Sequence, residues 1–206
     1  MRPDCVLLDL DGTLVDAGLD IAAAVRRTLH EVGADPVTDE VLRAWVGPPL
    51  EDSFAALGFD EALVERAVTA YRRHYDVLAS PVYDGVPEAL AALQGAGLRL
   101  ALATSKPQHL AEAVVAHHGF PLEVVRGSDR PAGRLSKGDV VAAALAALGG
   151  PAAPVMVGDR RYDVEGAAEH GVPCVGALWG YGSREELGGA WALADSPAAL
   201  AGLLLP

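Results

Sequence analysis

From Val86 onward, short apolar runs alternate with segments of helical periodicity, which is the rhythm of a parallel sheet wrapped by helices. A first apolar strand opens the run 5–15, and further strands are expected at 98–103, 122–125, 155–157 and 173–178. Helices are expected from Val86, with Pro87 in the first turn, and over 107–118, 136–148 and 162–170. The stretch 16–79 differs, because it reads as almost wholly helical. Ile21, Ala24, Val25, Leu29 and Val32 keep helical spacing until Gly33, and Thr38 caps a short second helix through Trp45. A third helix follows Gly47-Pro48-Pro49-Leu50, and a fourth begins near Asp60 with Leu63, Val64, Ala67, Val68, Tyr71, Tyr75 and Leu78 on one stripe before Pro81. The expectation is an α/β fold with an inserted helical unit.

The chain has 206 residues, enough to bury a full core as one domain carrying a small insertion. Hydrophobic residues make up 51% and charged ones 21%, which excludes disorder. Gly, Pro or charge breaks every apolar stretch before the roughly 18 residues that a membrane span requires, so a soluble chain with no membrane partner is expected. Residues 1–4 run into the first strand without a basic segment, an apolar signal core or a cleavage site, and the expected location is cytoplasmic. Cys5 and Cys174 lie in apolar runs and read as reduced core thiols. The formal net charge of −12 repels a nucleic-acid backbone, and the short pairs Arg26-Arg27 and Arg72-Arg73 read as solvated helix faces. Nucleic acid is therefore not an expected partner. The six histidines fall on helical segments without ligand spacing to cysteine.

The residues that carry chemistry stand just after strands, where sheets of this kind bind ligands. Asp9 and Asp11 lie two apart at the end of the first strand, so in extended chain they project about 6.5–7 Å apart from one face. That suits Asp9 as a nucleophile and Asp11 as an acid or base, while Gly12 lets backbone N–H groups approach an anion. A strand ending in an Asp-Gly turn fits the same four residues. The run Thr104-Ser105-Lys106-Pro107 presents hydroxyls and N–H groups at a helix start, which favours an anion and which capping also explains. Lys137 heads another helix, where a cation costs about 0.3–1 kcal/mol; an anionic partner would account for it, and an exposed lysine is the alternative. Asp159 and Asp163 flank a strand-to-helix turn at i and i+4, and hard oxygen ligands of this kind suit Mg²⁺ better than zinc.

Taken in order, Asp9-Leu10-Asp11-Gly12-Thr13, Thr104-Ser105-Lys106, Lys137 and Gly158-Asp159-Arg160-Arg161-Tyr162-Asp163 resemble the four motifs of the haloacid dehalogenase-like hydrolase superfamily. The helical insertion, Gly47-Pro48-Pro49-Leu50 and Trp179-Gly180-Tyr181-Gly182-Ser183 are similar to phosphoglycolate phosphatase-like members. The resemblance implies a Rossmann-like core over 1–15 and 80–206, with a helical cap over 16–79. It implies a Mg²⁺-dependent phosphomonoester hydrolase acting on a small phosphorylated metabolite through an aspartyl phosphate. Asp9 would be the nucleophile and Asp11 the acid and base. Asp9, Asp159, the backbone carbonyl of Asp11 and, in support, Asp163 would hold the metal. Gly12, Thr104, Ser105 and Lys137 would receive the phosphate, with Gly47, Pro48 and Arg43 facing the rest of the substrate and Lys106 and Arg160 structural. Ser105 stands where relatives often carry Asn. Related possibilities are a 5′-nucleotidase, a sugar-phosphate phosphatase and a phosphomutase; a non-catalytic phosphate-responsive module is a fourth. A dehalogenase needs neither Asp11 nor Asp159, and a phosphonatase needs a cap lysine that 16–79 lacks.

Overall fold

The computed structural model describes residues 3–205. Its centre is β1 (Cys5–Leu8), whose four residues are all buried because the strand lies inside a sheet covered on both faces. The sheet has six strands in the order β3-β2-β1-β4-β5-β6, all paired in parallel: β2 (Arg99–Pro107), β3 (Val124–Ser128), β4 (Pro154–Gly158), β5 (Cys174–Ala177) and β6 (Ala192–Ala194). Alternate residues of β1 serve opposite cores. Val6 and Leu8 pack with α5 (Val86–Gly95), α6 (Gln108–His118) and α9 (Ala199–Leu204). Cys5 and Leu7 pack with α7 (Lys137–Ala147) and α8 (Arg161–Ala168) on the other face. Both cysteines are free and buried.

The chain leaves β1 for β2 and β3 on one side and resumes at β4 on the other. This reversal opens a crevice beyond the carboxyl end of β1. Between β1 and α5 lie the four helices α1 (Gly18–Val32), α2 (Asp39–Arg43), α3 (Leu50–Ala56) and α4 (Glu61–His74). α1 packs on α4, and Trp45, Phe54 and Phe59 form an aromatic cluster with centroid spacings of 4.7 and 5.9 Å. The segment joins the sheet where Val15 bridges Val82 and Asp16 N–H donates to the Pro81 carbonyl. No helix among the described residues is long and apolar enough to cross a membrane.

Four local expectations are corrected. β2 continues to Pro107 through a register shift after Ala103, so Thr104, Ser105 and Lys106 lie in an irregular strand end and the helix starts only at Gln108. β3 begins at Val124, two residues later than the apolar run 122–125 suggests. α4 stops at His74 because Tyr75 is extended and the Asp76 carboxylate accepts the Leu78 N–H in a local turn, leaving Leu78 partly exposed. β6 and α9 were not anticipated.

α7 and α8 approach so closely that the Lys137 side chain passes over Gly166, where an added Cβ would stand 2.7 Å from Lys137 Cγ and 2.9 Å from the Gly138 nitrogen. In an open helix Gly→Ala is stabilising by about 1 kcal/mol. Here the overlap reverses the sign, and Gly166→Ala is expected to lower stability by about 1–3 kcal/mol, read by urea unfolding.

Candidate active site

The site forms where β1 and β4 end side by side. Asp9 N–H donates to the Val157 carbonyl at 2.9 Å, so the sheet ladder continues one residue past β1 and fixes where the Asp9 carboxylate emerges. The Leu10 carbonyl then accepts the N–H groups of Thr13, Leu14 and Val15, closing a tight turn. Gly12 sits in it at φ +92°, the left-handed region that favours glycine, and a Cβ there would collide with the Asp159 carboxylate.

Asp159 follows β4 and is fully buried. Its Oδ1 accepts the Thr13 hydroxyl at 3.2 Å and its Oδ2 accepts the Tyr181 N–H at 2.8 Å. Gly180 and Gly182 lie so close that a Cβ on either would strike Asp159. One turn into α8, Asp163 Oδ2 accepts the Arg160 N–H at 3.0 Å, tying the carboxylate to the helix start.

Lys137 enters from the first position of α7, whose start is secured by reciprocal hydrogen bonds between Ser136 and Asp139. Its Nζ lies 2.5 Å from Asp9 Oδ1 and 3.0 Å from the Ala103 carbonyl, donating to both. It also lies 2.7 Å from Asp163 Oδ1, but off the axis of a hydrogen bond, so that buried oxygen is left without a donor. Burial works against the charge on Lys137, yet Asp163 and Asp9 outweigh it and hold the ammonium pKa above its ordinary value. Burial, then Asp163 and Asp9, push Asp159 well above the usual carboxylate range. Burial likewise raises Asp163 to about 6, with Lys137 opposing.

Asp9, Asp159 and Asp163 each offer a carboxylate oxygen within 4.8 Å of the others. Two such charges repel by about 3–4 kcal/mol at an effective dielectric of 20. Three ionised carboxylates against one ammonium leave a formal −2, which a divalent cation balances. The orphaned Asp163 oxygen and the all-oxygen donor set fit Mg²⁺.

Asp9, Asp163 and Lys137 open on a cavity of about 810 Å³ between the strand ends and the helical insertion, and Asp159 lies buried behind them. Thr104, Ser105, Gly47 and Pro48 line it, and the Thr104 oxygen accepts the Lys106 N–H at 3.3 Å. Arg43 does not line it: it is exposed on α2, and Arg72 of α4 is the insertion's arginine at the cavity. Asp11 stands apart from the acidic cluster, its carboxylate paired with Lys106 at 2.7 Å, so Lys106 belongs to the site rather than to the framework alone. Arg160 Nε donates to Glu186 at 2.8 Å and its Nη1 to the Val46 carbonyl, joining α8 to the residue before Gly47. Thr13, Tyr75 and Tyr181 are additional participants. The signals were there for Thr13, inside Asp-Gly-Thr, and for Tyr181, inside Trp-Gly-Tyr-Gly-Ser; Tyr75 gave none.

The family model described as haloacid dehalogenase-like hydrolase matches residues 6–177. The chain belongs to this family. Among curated relatives of this chain, the tyrosine-protein kinase PtkA of Mycobacterium tuberculosis is 41% identical over 89% of the chain, and the chain spans 65% of that protein's length. A 5′-nucleotidase of Pseudomonas aeruginosa is 38% identical over 91% of the chain and 88% of its own length. A phosphoglycolate phosphatase of Pseudomonas syringae is 34% identical over 87% and 71%, in line with the subfamily resemblance. The crystal structure of a predicted phosphatase from Clostridium acetobutylicum superposes with a TM-score of 0.91 at 32% identity, covering 100% of this chain and 99% of that one.

Asp159 and Asp163 bind protons more tightly folded than unfolded. Their contribution to stability is therefore greatest below the ordinary carboxylate range and falls as pH rises, for Asp163 between 3.8 and about 6. In chelator-treated protein, Asp159→Asn is expected to raise the thermal midpoint at pH 7 and to flatten that decline. Mg²⁺ at a hundred times its Kd is expected to stabilise the wild type by about 2.7 kcal/mol and Asp159→Asn far less. Calorimetry with and without the ion checks both.

Proposed function

We propose that this hydrolase is a Mg²⁺-dependent phosphomonoesterase acting on a small phosphorylated metabolite through an aspartyl phosphate. The observation that carries the reading is the Asp9 carboxylate, held by Lys137 through Oδ1 beside two further buried carboxylates and facing a cavity of metabolite size. Asp9, Asp159 and Asp163, with the Asp11 carbonyl, are the groups to hold Mg²⁺, which when bound supplies positive charge beside the transferring phosphoryl group.

Phosphate monoesters resist hydrolysis so strongly that catalysis must supply on the order of 20 kcal/mol, which no single nucleophile provides. Asp9 Oδ2 attacks phosphorus in line, and Asp11 gives a proton to the departing ester oxygen. A water then attacks the phosphorus, Asp11 takes its proton, and the Asp9 carboxylate is regenerated. Lys137, the Thr104 hydroxyl and the N–H groups near Gly12 and Ser105 counter the charge on the phosphoryl oxygens. Residues 16–79 act as the cap that closes on the substrate, over a core of 1–15 and 80–206, and Gly47 and Pro48 meet the leaving group. The buried free thiols support a reducing, cytoplasmic setting, and the net charge argues against nucleic acid as substrate.

Phosphoglycolate-like substrates rank first on the subfamily resemblance of the insertion, Gly47 to Leu50 and the Trp179 to Ser183 loop, then nucleoside monophosphates, supported by the 38% identity to the 5′-nucleotidase, and sugar phosphates. A second reading, transfer of the phosphoryl group to a hydroxyl acceptor, takes its support from the identity to the kinase relative.

Purified protein is expected to release phosphate from a generic aryl phosphate only with Mg²⁺, and Asp9→Asn to lose about 10³-fold or more in kcat. Activity surviving in Asp9→Asn refutes the nucleophile. Label that leaves ¹⁸O-water unincorporated and appears on an added alcohol or tyrosyl peptide selects the transferase reading instead.

A further inference from the structure

Lys106 is one of two lysines in the chain, and its side chain is only 4% exposed although it takes no part in the phosphate-binding scheme above. An ammonium has three N–H donors. Here each has a partner: Asp11 Oδ1 at 2.9 Å, Asp11 Oδ2 at 2.7 Å and the Tyr75 hydroxyl at 3.0 Å. The Tyr75 ring also lies 5.0 Å from the ammonium, close enough for a cation–π attraction in a site that excludes most water. Tyr75 stacks in turn on Tyr71, 5.2 Å away and buried in α4. A continuous set of contacts thus runs from the helical insertion to the carboxylate of Asp11.

A carboxylate offers about four lone-pair sites, two on each oxygen. Lys106 occupies one on each, which fixes the plane of the group and leaves one on each for water, and Asp11 keeps 15% of its side chain exposed. We propose that Lys106 and Tyr75 are positioning residues that aim Asp11 as the base in the second half of the reaction. In that half a water oxygen bonds to phosphorus, the phosphorus–oxygen bond to Asp9 breaks with its electron pair returning to Asp9, and the water proton passes to a free lone pair of Asp11. The proposal rests on the aspartyl-phosphate reading. It adds that the base is oriented from the insertion as well as from its own loop.

The test uses 2,4-dinitrophenyl phosphate, whose leaving group departs without a proton, so that the first half makes no demand on Asp11. Release of dinitrophenolate is followed by rapid mixing for the wild type, Tyr75→Phe, Lys106→Met, their double variant and Asp11→Asn. In Tyr75→Phe and Lys106→Met, kcat is expected to fall by about tenfold and KM with it, kcat/KM staying within about twofold, with a burst approaching one dinitrophenolate per active site. Adding Tyr75→Phe to Lys106→Met is expected to cost nothing further, because Tyr75 acts through the ammonium. An unchanged kcat, or a kcat/KM that falls in step with it, overturns the proposal. Tyr75→Phe removes a single hydroxyl and decides the matter alone if Lys106→Met does not fold. Asp11→Asn separates the two levels: without trapped phosphoenzyme there, the aspartyl-phosphate reading itself fails. If Asp11→Asn traps it and the other variants do not, only the positioning role falls.

Discussion

One buried ammonium among three buried carboxylates holds this molecule's working end together. Taking a charge out of water costs several kcal/mol, and a lone lysine at this depth would sooner lose its proton than stay charged. Lys137 stays charged because Asp9 and Asp163 are beside it, and those carboxylates are placed in turn by the end of β1 and the start of α8. Its third neighbour, the Ala103 carbonyl, belongs to β2 just before the register shift. The cation therefore draws the residue after β1, the middle of β2 and the starts of α7 and α8 to one point, and a site this charged persists because the surrounding elements are built to meet there.

Much of this was legible before any coordinates. Strong periodicity revealed α1 and α4, the alternation after Val86 revealed four of the six strands and the apolar run 5–15 a fifth, and the spacing of Asp9, Asp11, Asp159 and Asp163 marked the carboxylates. Lys137 was legible from electrostatics, as a cation at the wrong end of a helix. What escaped has physical reasons. β6 and α9 are built from runs such as Ala-Leu-Ala and Ala-Leu-Ala-Gly-Leu-Leu, too short and too uniform to show a period. That Arg43 faces away from the cavity was hidden because a five-residue helix has no stripe to say which way its side chains face. The partnership of Lys106 with Tyr75 joins positions 31 residues apart, and nothing local to either announces it.

The root of the insertion is clasped from a distance. Tyr181 lies beyond β5, yet its hydroxyl hydrogen-bonds to Asp16 and accepts the Gly18 N–H at 3.0 Å. Its own backbone N–H goes to Asp159. The Trp179 ring nitrogen donates to the Thr13 carbonyl at 3.0 Å, pinning the turn between Asp11 and that root. One short loop thus touches the acidic cluster, the first turn and the start of α1 together, so that the carboxylate and the insertion share a mechanical support.

The glycines that ring Asp159 carry a different implication. Gly12 comes from the turn after β1, and Gly180 and Gly182 from the loop after β5, and a methyl group on any of them would land on the same aspartate. For inherited variation, the vulnerable target is thus wider than the roster of ligands: three codons, none specifying a side chain that does chemistry, keep one aspartate from being crowded out, Gly12 and Gly180 at its carboxylate and Gly182 at its backbone carbonyl.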